Sequence, residues 1–210
     1  MRRILVLTEW FFPANKAPEF VKSCNDLINN LSQEYSFFIL TSDRDKGGEA
    51  LKDIVTDKWI AQTNTRINKN FVRYVSKKNM TTDEIAKIIK KINPHVIYIN
   101  TMLSLRYSLL PFNVINKIGF TGRIIISPRE ALTQNGIGYN ALKRKFFSFL
   151  LSRSHFRSNV VFHASDEGDV AVIRKCFGRK ILTCTVENFS NCKPADVCPQ
   201  IKQKYGELFG

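Results

Sequence analysis

Six side chains with binding or catalytic chemistry stand at or beyond the ends of runs of branched apolar residues. They are Glu9 and Lys16 after Arg3–Thr8, Asn100 after His95–Ile99, Arg129 and Glu130 after Arg123–Ser127, and His163 near the end of Val160–Ala164. Arg129 offers a planar fork of donors that matches a phosphate or carboxylate, whereas Lys16 offers a point charge. Glu130 can orient Arg129 or accept from the hydroxyl groups of a ligand; an internal Arg129–Glu130 pair pinning the loop is the plainer alternative. His163 either contacts a ligand or is satisfied within the chain by a backbone carbonyl. His95 opens a strand at the opposite edge and reads as structural, and Ser165 reads as a helix cap.

Familiar catalytic and cofactor signatures do not occur around these residues. There is no Gly-x-Ser-x-Gly elbow, no His-Glu-x-x-His, and no Gly-x-Gly-x-x-Gly in the first loop. Five cysteines, an odd number, form no Cys-x-x-Cys and no zinc-ligand spacing, so they read as buried reduced thiols. The expectation is no metal and no cofactor.

The elements that must position the six side chains follow from the apolar pattern. Arg3–Thr8 reads as a strand buried on both faces. Pro13 and Pro18 bar its continuation, and Phe20, Cys24, Leu27, Ile28 and Leu31 then take up helical spacing. Further strands are expected at Ser36–Ser42, Phe71–Val75 (towards an edge), His95–Asn100, Arg123–Ser127, Val160–Ala164 and Ile181–Val186. Helices are expected on Ile85, Ile88, Ile89 and Ile92, capped by Thr82 or Asp83; over Leu103–Lys117, bent at Pro111; over Asn140–Leu151; and from a Ser165 cap to Gly178. Strands alternating with helices predict an α/β, Rossmann-like, doubly wound and mostly parallel sheet of about seven strands, with helices on both faces. Ligands bind such sheets beyond the carboxyl ends of the strands, where the six residues fall. Residues 1–187 read as this domain, and 188–210 as a linker or the start of a missing C-terminal domain.

Composition narrows the class. A 44% hydrophobic and 11% aromatic content belongs to a globular chain, and no apolar run has the length to span a bilayer. Arg2-Arg3 precedes a short apolar run, but Glu9 interrupts it and no small-residue cleavage site follows, so a cytoplasmic chain is expected. A net charge of +14 favours anionic partners without selecting one. The basic residues are dispersed and no nucleic-acid module is visible, so nucleic-acid binding rests on charge alone. Lys143, Arg144 and Lys145, beside Phe146, Phe147, Phe149, Leu150 and Leu151, form either a membrane-surface helix at the inner face of the membrane or an ordinary helix with its apolar face on the sheet.

In order along the chain, these pieces resemble the N-terminal half of glycosyltransferase family 4 enzymes with the GT-B fold. Ile4–Ala14 is similar to that family's first strand and Phe-Pro-Pro-type loop, and Phe38–Asp45 to a second strand ending Thr-Ser-Asp-Arg-Asp. Pro94–Asn100 resembles Pro-Asp-Val-Ile-Tyr-Leu-Asn, Ser127–Leu132 resembles Ala-Pro-Arg-Gly-Glu-Leu, and Phe162–Glu167 resembles Phe-His-Ala-Thr-Ser-Glu-Glu. The resemblance covers about residues 2 to 190.

It implies a retaining, metal-independent transfer of a sugar from a nucleotide-sugar donor to a saccharide or lipid-linked acceptor, in polysaccharide biosynthesis. The acceptor would bind this half. The donor would bind a C-terminal half that is missing here, with its two glutamates seven residues apart, so this half alone is expected to have very little transfer activity. One local departure stands out: where the family has glycines in the first loop, this chain has Asn15-Lys16-Ala17-Pro18-Glu19. Either Lys16 replaces backbone amides there, or the loop holds no diphosphate. The alternative to an enzyme is a non-catalytic basic α/β module docking on a protein, an anionic membrane or a polyphosphate.

Overall fold

The computed structural model describes residues 1–62, 70–128, 141–154, 157–187, 189 and 199–210. The first strand, β1 (Arg2–Leu7), is the centre. It pairs in parallel with β2 (Tyr35–Ser42) on one side and β5 (Val96–Ile99) on the other. Outward from β2 come β4 (Asn70–Val75), parallel, and then β3 (Ile60–Gln62), antiparallel. Outward from β5 come β6 (Arg123–Ile126), β7 (Val160–Ala164) and β8 (Leu182–Thr185), all parallel. The order β3-β4-β2-β1-β5-β6-β7-β8 reverses direction between β1 and β5, the topological switch point of a doubly wound sheet.

Alternation along the strands splits the core into two layers. Ile4, Val6, Phe37, Ile39, Tyr98 and Ile125 face α1 (Pro18–Leu31) and α6 (Pro199–Phe209). Leu5, Leu7, Ile97, Ile99, Ile124 and Ile126 face α2 (Thr82–Ile92), α3 (Leu110–Lys117), α4 (Ala141–Ser152) and α5 (Glu167–Phe177).

Several expectations shift by a residue or more. Thr81, not Thr82 or Asp83, caps α2, its hydroxyl accepting from the Glu84 N–H at 3.3 Å. Asp166, not Ser165, caps α5, while the Ser165 N–H donates to the Asp169 carboxylate. The single bent helix expected over Leu103–Lys117 is a π-helical turn, Leu105–Leu109, leading into α3, whose first turn accommodates Pro111. β3 lies in a stretch without apolar period, and only its pairing with β4 makes it a strand. At the end of the stretch expected to be a linker or the start of a missing C-terminal domain, α6 packs on the sheet: Ile201, Tyr205, Leu208 and Phe209 are buried. Its last turn is held by Arg2 and Arg123, whose guanidinium groups donate to the carbonyls of Glu207, Leu208, Phe209 and Gly210 at 2.8–3.0 Å.

Candidate functional site

At the switch point, the backbone runs on past the strands and keeps them zipped. The Thr8 N–H donates to the Leu40 carbonyl, and the Asn100 N–H to that of Leu7. The Asn100 amide donates across the β1–β5 crevice to the Thr8 hydroxyl at 3.3 Å, and that hydroxyl donates to the Trp10 carbonyl at 3.1 Å. Asn100 is fully buried, so it clamps the crevice floor.

Two polar groups beside this clamp are uncommitted among the described residues. The Glu9 carboxylate, half-buried, has no hydrogen bond or ion pair there. The Thr101 hydroxyl has no partner either, although the residue is only 8% exposed. Polar groups so enclosed are ordinarily hydrogen-bonded. Across the rim, burial pushes the Tyr107 phenol well above its ordinary range. The Ser42 hydroxyl bonds to it and opposes that rise, while the nearby charges of Glu9 and Asp43 add to it. Glu9, Ser42, Asp43 and Tyr107 therefore share one neighbourhood. Tyr107, within a helical stretch, had no sequence signal, whereas Thr101, two residues past β5, lay where the strand-end rule looks. Asp43 follows β2 as Glu9 follows β1, and could have been found by that rule.

The first loop behaves differently from a phosphate cradle. Asp45, at the end of the β2 loop, accepts from the Asn15 N–H at 2.9 Å, the Lys16 N–H at 3.2 Å and the Lys46 N–H at 2.7 Å. Burial alone would raise its pKa, but these amides and the Lys16 charge outweigh it and hold the carboxyl below its usual range. The Lys16 ammonium pairs with Glu49 at 2.6 Å. Donors that a diphosphate would need are thus spent on the chain's own carboxylates. The Tyr74 hydroxyl, pushed up to about 12 by burial, donates to the Phe12 carbonyl and ties the same loop to β4.

His163 sits inside the sheet layer, 2% exposed. Its Nε2 lies 2.8 Å from the Val186 carbonyl and its Nδ1 2.8 Å from the Tyr98 hydroxyl. A carbonyl only accepts, so Nε2 carries the proton, and in the neutral ring Nδ1 accepts from Tyr98. Both nitrogens are thereby engaged within the chain, the second of the two readings of this histidine. His95 accepts from the Arg3 N–H at the amino edge. Arg129 and Glu130 lie outside the described residues. Of the six sequence candidates, Asn100 bonds to Thr8 across the crevice and Glu9 follows Thr8 at the end of β1, while Lys16 is turned to Glu49 and His163 is interior.

A cavity of about 720 Å³ opens at the opposite, amino-terminal edge, lined by Arg2, His95, Arg123 and Asn159 among others. Its two arginines already donate to the end of α6, which gives this cavity a structural reason. Among the described residues there is no cluster of three or more His, Cys, Asp or Glu side chains suited to a metal. Nor is any helix there long and apolar enough to cross a membrane.

No protein-family model matches the sequence, and no curated protein matches it. Among solved structures, the chain is similar to the crystal structure of Anabaena Alr3699/HepE in complex with UDP and glucose, with a TM-score of 0.53 at 11% sequence identity. The match covers 98% of this chain and 50% of that one, so this chain spans about half its length. At that identity the likeness is one of fold: a mostly parallel, doubly wound α/β domain whose counterpart occurs in a structure holding UDP and glucose.

Proposed function

We propose that this domain is the acceptor-side half of a retaining, GT-B glycosyltransferase of the family 4 type, acting in the cytoplasm in polysaccharide synthesis. The observation that carries the reading is a pair of polar groups, Glu9 and Thr101, uncommitted among the described residues, at the switch point of a sheet whose fold matches a UDP- and glucose-bound structure. Sugars present hydroxyl groups in quantity. A carboxylate accepting from them, beside a hydroxyl that donates or accepts, suits a saccharide or the sugar end of a lipid-linked acceptor.

Retaining transfer needs an oxocarbenium-like state to be stabilised and the leaving diphosphate to be neutralised. The first loop is a poor supplier of the second, because Asp45 and Glu49 already take its amides and its lysine. The reading therefore assigns the nucleotide-sugar to a second half from outside these 210 residues. The planar fork of Arg129 is this chain's candidate to reach the diphosphate, with Glu130 orienting it. This half holds and orients the acceptor, and by itself should transfer little sugar.

The test is sugar transfer by the longest reading frame that contains this chain, with a panel of nucleotide-sugars and acceptors. Glu9→Gln and Arg129→Ala should each lower transfer about tenfold or more, the loss expected for a hydrogen bond to a charged group. His95→Ala, at the far edge, should stay within about twofold. Equal losses for all three would put the site at the wrong edge of the sheet.

A further inference from the structure

Helix α4 turns one narrow row of side chains inward and leaves another bare. Phe147 and Leu151 are buried, with the Phe147 ring 5.0 Å from that of Phe112 and 6.0 Å from that of Phe177, centroid to centroid. Leu142, Phe146 and Phe149 are instead 83%, 50% and 52% exposed. At about 100° per residue, these three fall within about 60° of one another, opposite the buried pair. The same geometry sets Lys143 on one flank of the bare row and Lys145 on the other. Arg153, next in line just beyond the helix, holds its guanidinium 5.2 Å from the Phe149 ring centroid.

Charge tells which kind of surface would cover this row. From Ala131 to Ser165 the sequence has no Asp or Glu, while Lys143, Arg144, Lys145, Arg153 and Arg157 fall in that span. An apolar row flanked by cations fits a partner that is negative at its surface and apolar just beneath. An anionic phospholipid leaflet has that layering, and a helix lying in its plane buries one face in the headgroup–acyl boundary. A folded protein partner would more often supply carboxylates to match by pairing, with no apolar layer of such extent.

We propose that the outer face of α4 docks the domain on an anionic phospholipid bilayer. Leu142, Phe146 and Phe149 enter the boundary layer, and Lys143, Lys145 and Arg153 meet the lipid phosphates. The proposal is independent of sugar transfer, since it is read as binding by the chain alone.

The experiment is co-sedimentation with phosphatidylcholine vesicles with and without phosphatidylserine, at low and physiological salt, with circular dichroism melts of every variant. The wild type should bind the phosphatidylserine vesicles, more weakly as salt rises. The Lys143→Ser/Lys145→Ser variant should lose about 30-fold in affinity, at one lysine's worth of attraction for each charge removed. Leu142→Ser/Phe146→Ser/Phe149→Ser should lose binding at both salts while melting like the wild type. Charge reversal, Lys143→Glu/Lys145→Glu, supplies a second variant that leaves the apolar row intact and should also abolish binding. Absent binding by the wild type, or binding that these variants leave unchanged, would overturn the proposal. Self-association through the row, abolished by Phe146→Ser without any vesicle binding, would overturn it in favour of a second copy of the chain.

Discussion

Replacing Asp45 by Asn asks directly whether the first loop is built around an internal anion. Its Oδ2 accepts from Asn15 and Lys16, and its Oδ1 from Lys16 and Lys46. An asparagine keeps one acceptor oxygen and turns an NH2 group towards the N–H donors on the other side. One charge-assisted bond is lost, at roughly 1.5–3 kcal/mol, and the bonds that remain lose their charge assistance, at roughly 0.5–1 kcal/mol more, giving about 2–4 kcal/mol in all. Urea unfolding at pH 7 should then show a midpoint lower by about 1–2 M, for a slope of about 2 kcal/mol/M. The pH dependence has a fixed sign. Because the folded carboxyl titrates below its usual range, its stabilisation is fully present above the unfolded value of about 3.9 and is lost as pH falls through the folded one. The gap between wild type and Asp45→Asn should therefore hold from pH 7 to pH 5 and close only below about pH 4. A midpoint within about 0.3 M of wild type at pH 7, or a gap unchanged at pH 3, would refute the internal-anion account.

Other substitutions separate what is buried from what is bare. His163→Phe removes a partner from both the Tyr98 hydroxyl and the Val186 carbonyl, each buried, and should cost about 2–4 kcal/mol by denaturant unfolding; a loss under about 0.5 kcal/mol would show that the ring is not holding them. Phe147→Ala should cost about 3–5 kcal/mol and Phe146→Ala, one residue away, under about 0.5 kcal/mol. Similar losses at the two positions would mean that α4 is rotated from the orientation described.

Much of the fold was legible because buried parallel strands write themselves as unbroken branched runs. Ile4–Leu7, Val96–Ile99 and Ile124–Ile126 have no other comfortable place than a sheet covered on both faces. Ile85, Ile88, Ile89 and Ile92 fixed α2 in the same way, all four being buried. What escaped was context-dependent. The three residues of β3 are a strand only because β4 offers an edge, and α6 carries too short an apolar face, broken by Gly206, to announce that it packs on this same sheet.

The site was legible at coarser grain still. The rule that ligands meet strand ends found Glu9 and Asn100, yet it could not say that Asn100 points its amide to Thr8 while Glu9 stays uncommitted among the described residues. The role of Asp45 depends on two loops, distant in sequence, folding against each other, which no local pattern encodes. Lys16 looked like a phosphate ligand for the same reason: its partner, Glu49, is 33 residues away.

The most direct test of the account is a titration of the isotope-labelled chain with simple saccharides, followed through its amide NMR shifts. Binding at the β1–β5 crevice predicts that the amides of Glu9, Ser42, Thr101 and Tyr107 move together and saturate with one affinity, and that Glu9→Gln weakens that affinity. Shifts confined to His95, Arg123 and Asn159 around the amino-edge cavity, with the crevice amides unmoved, would contradict it.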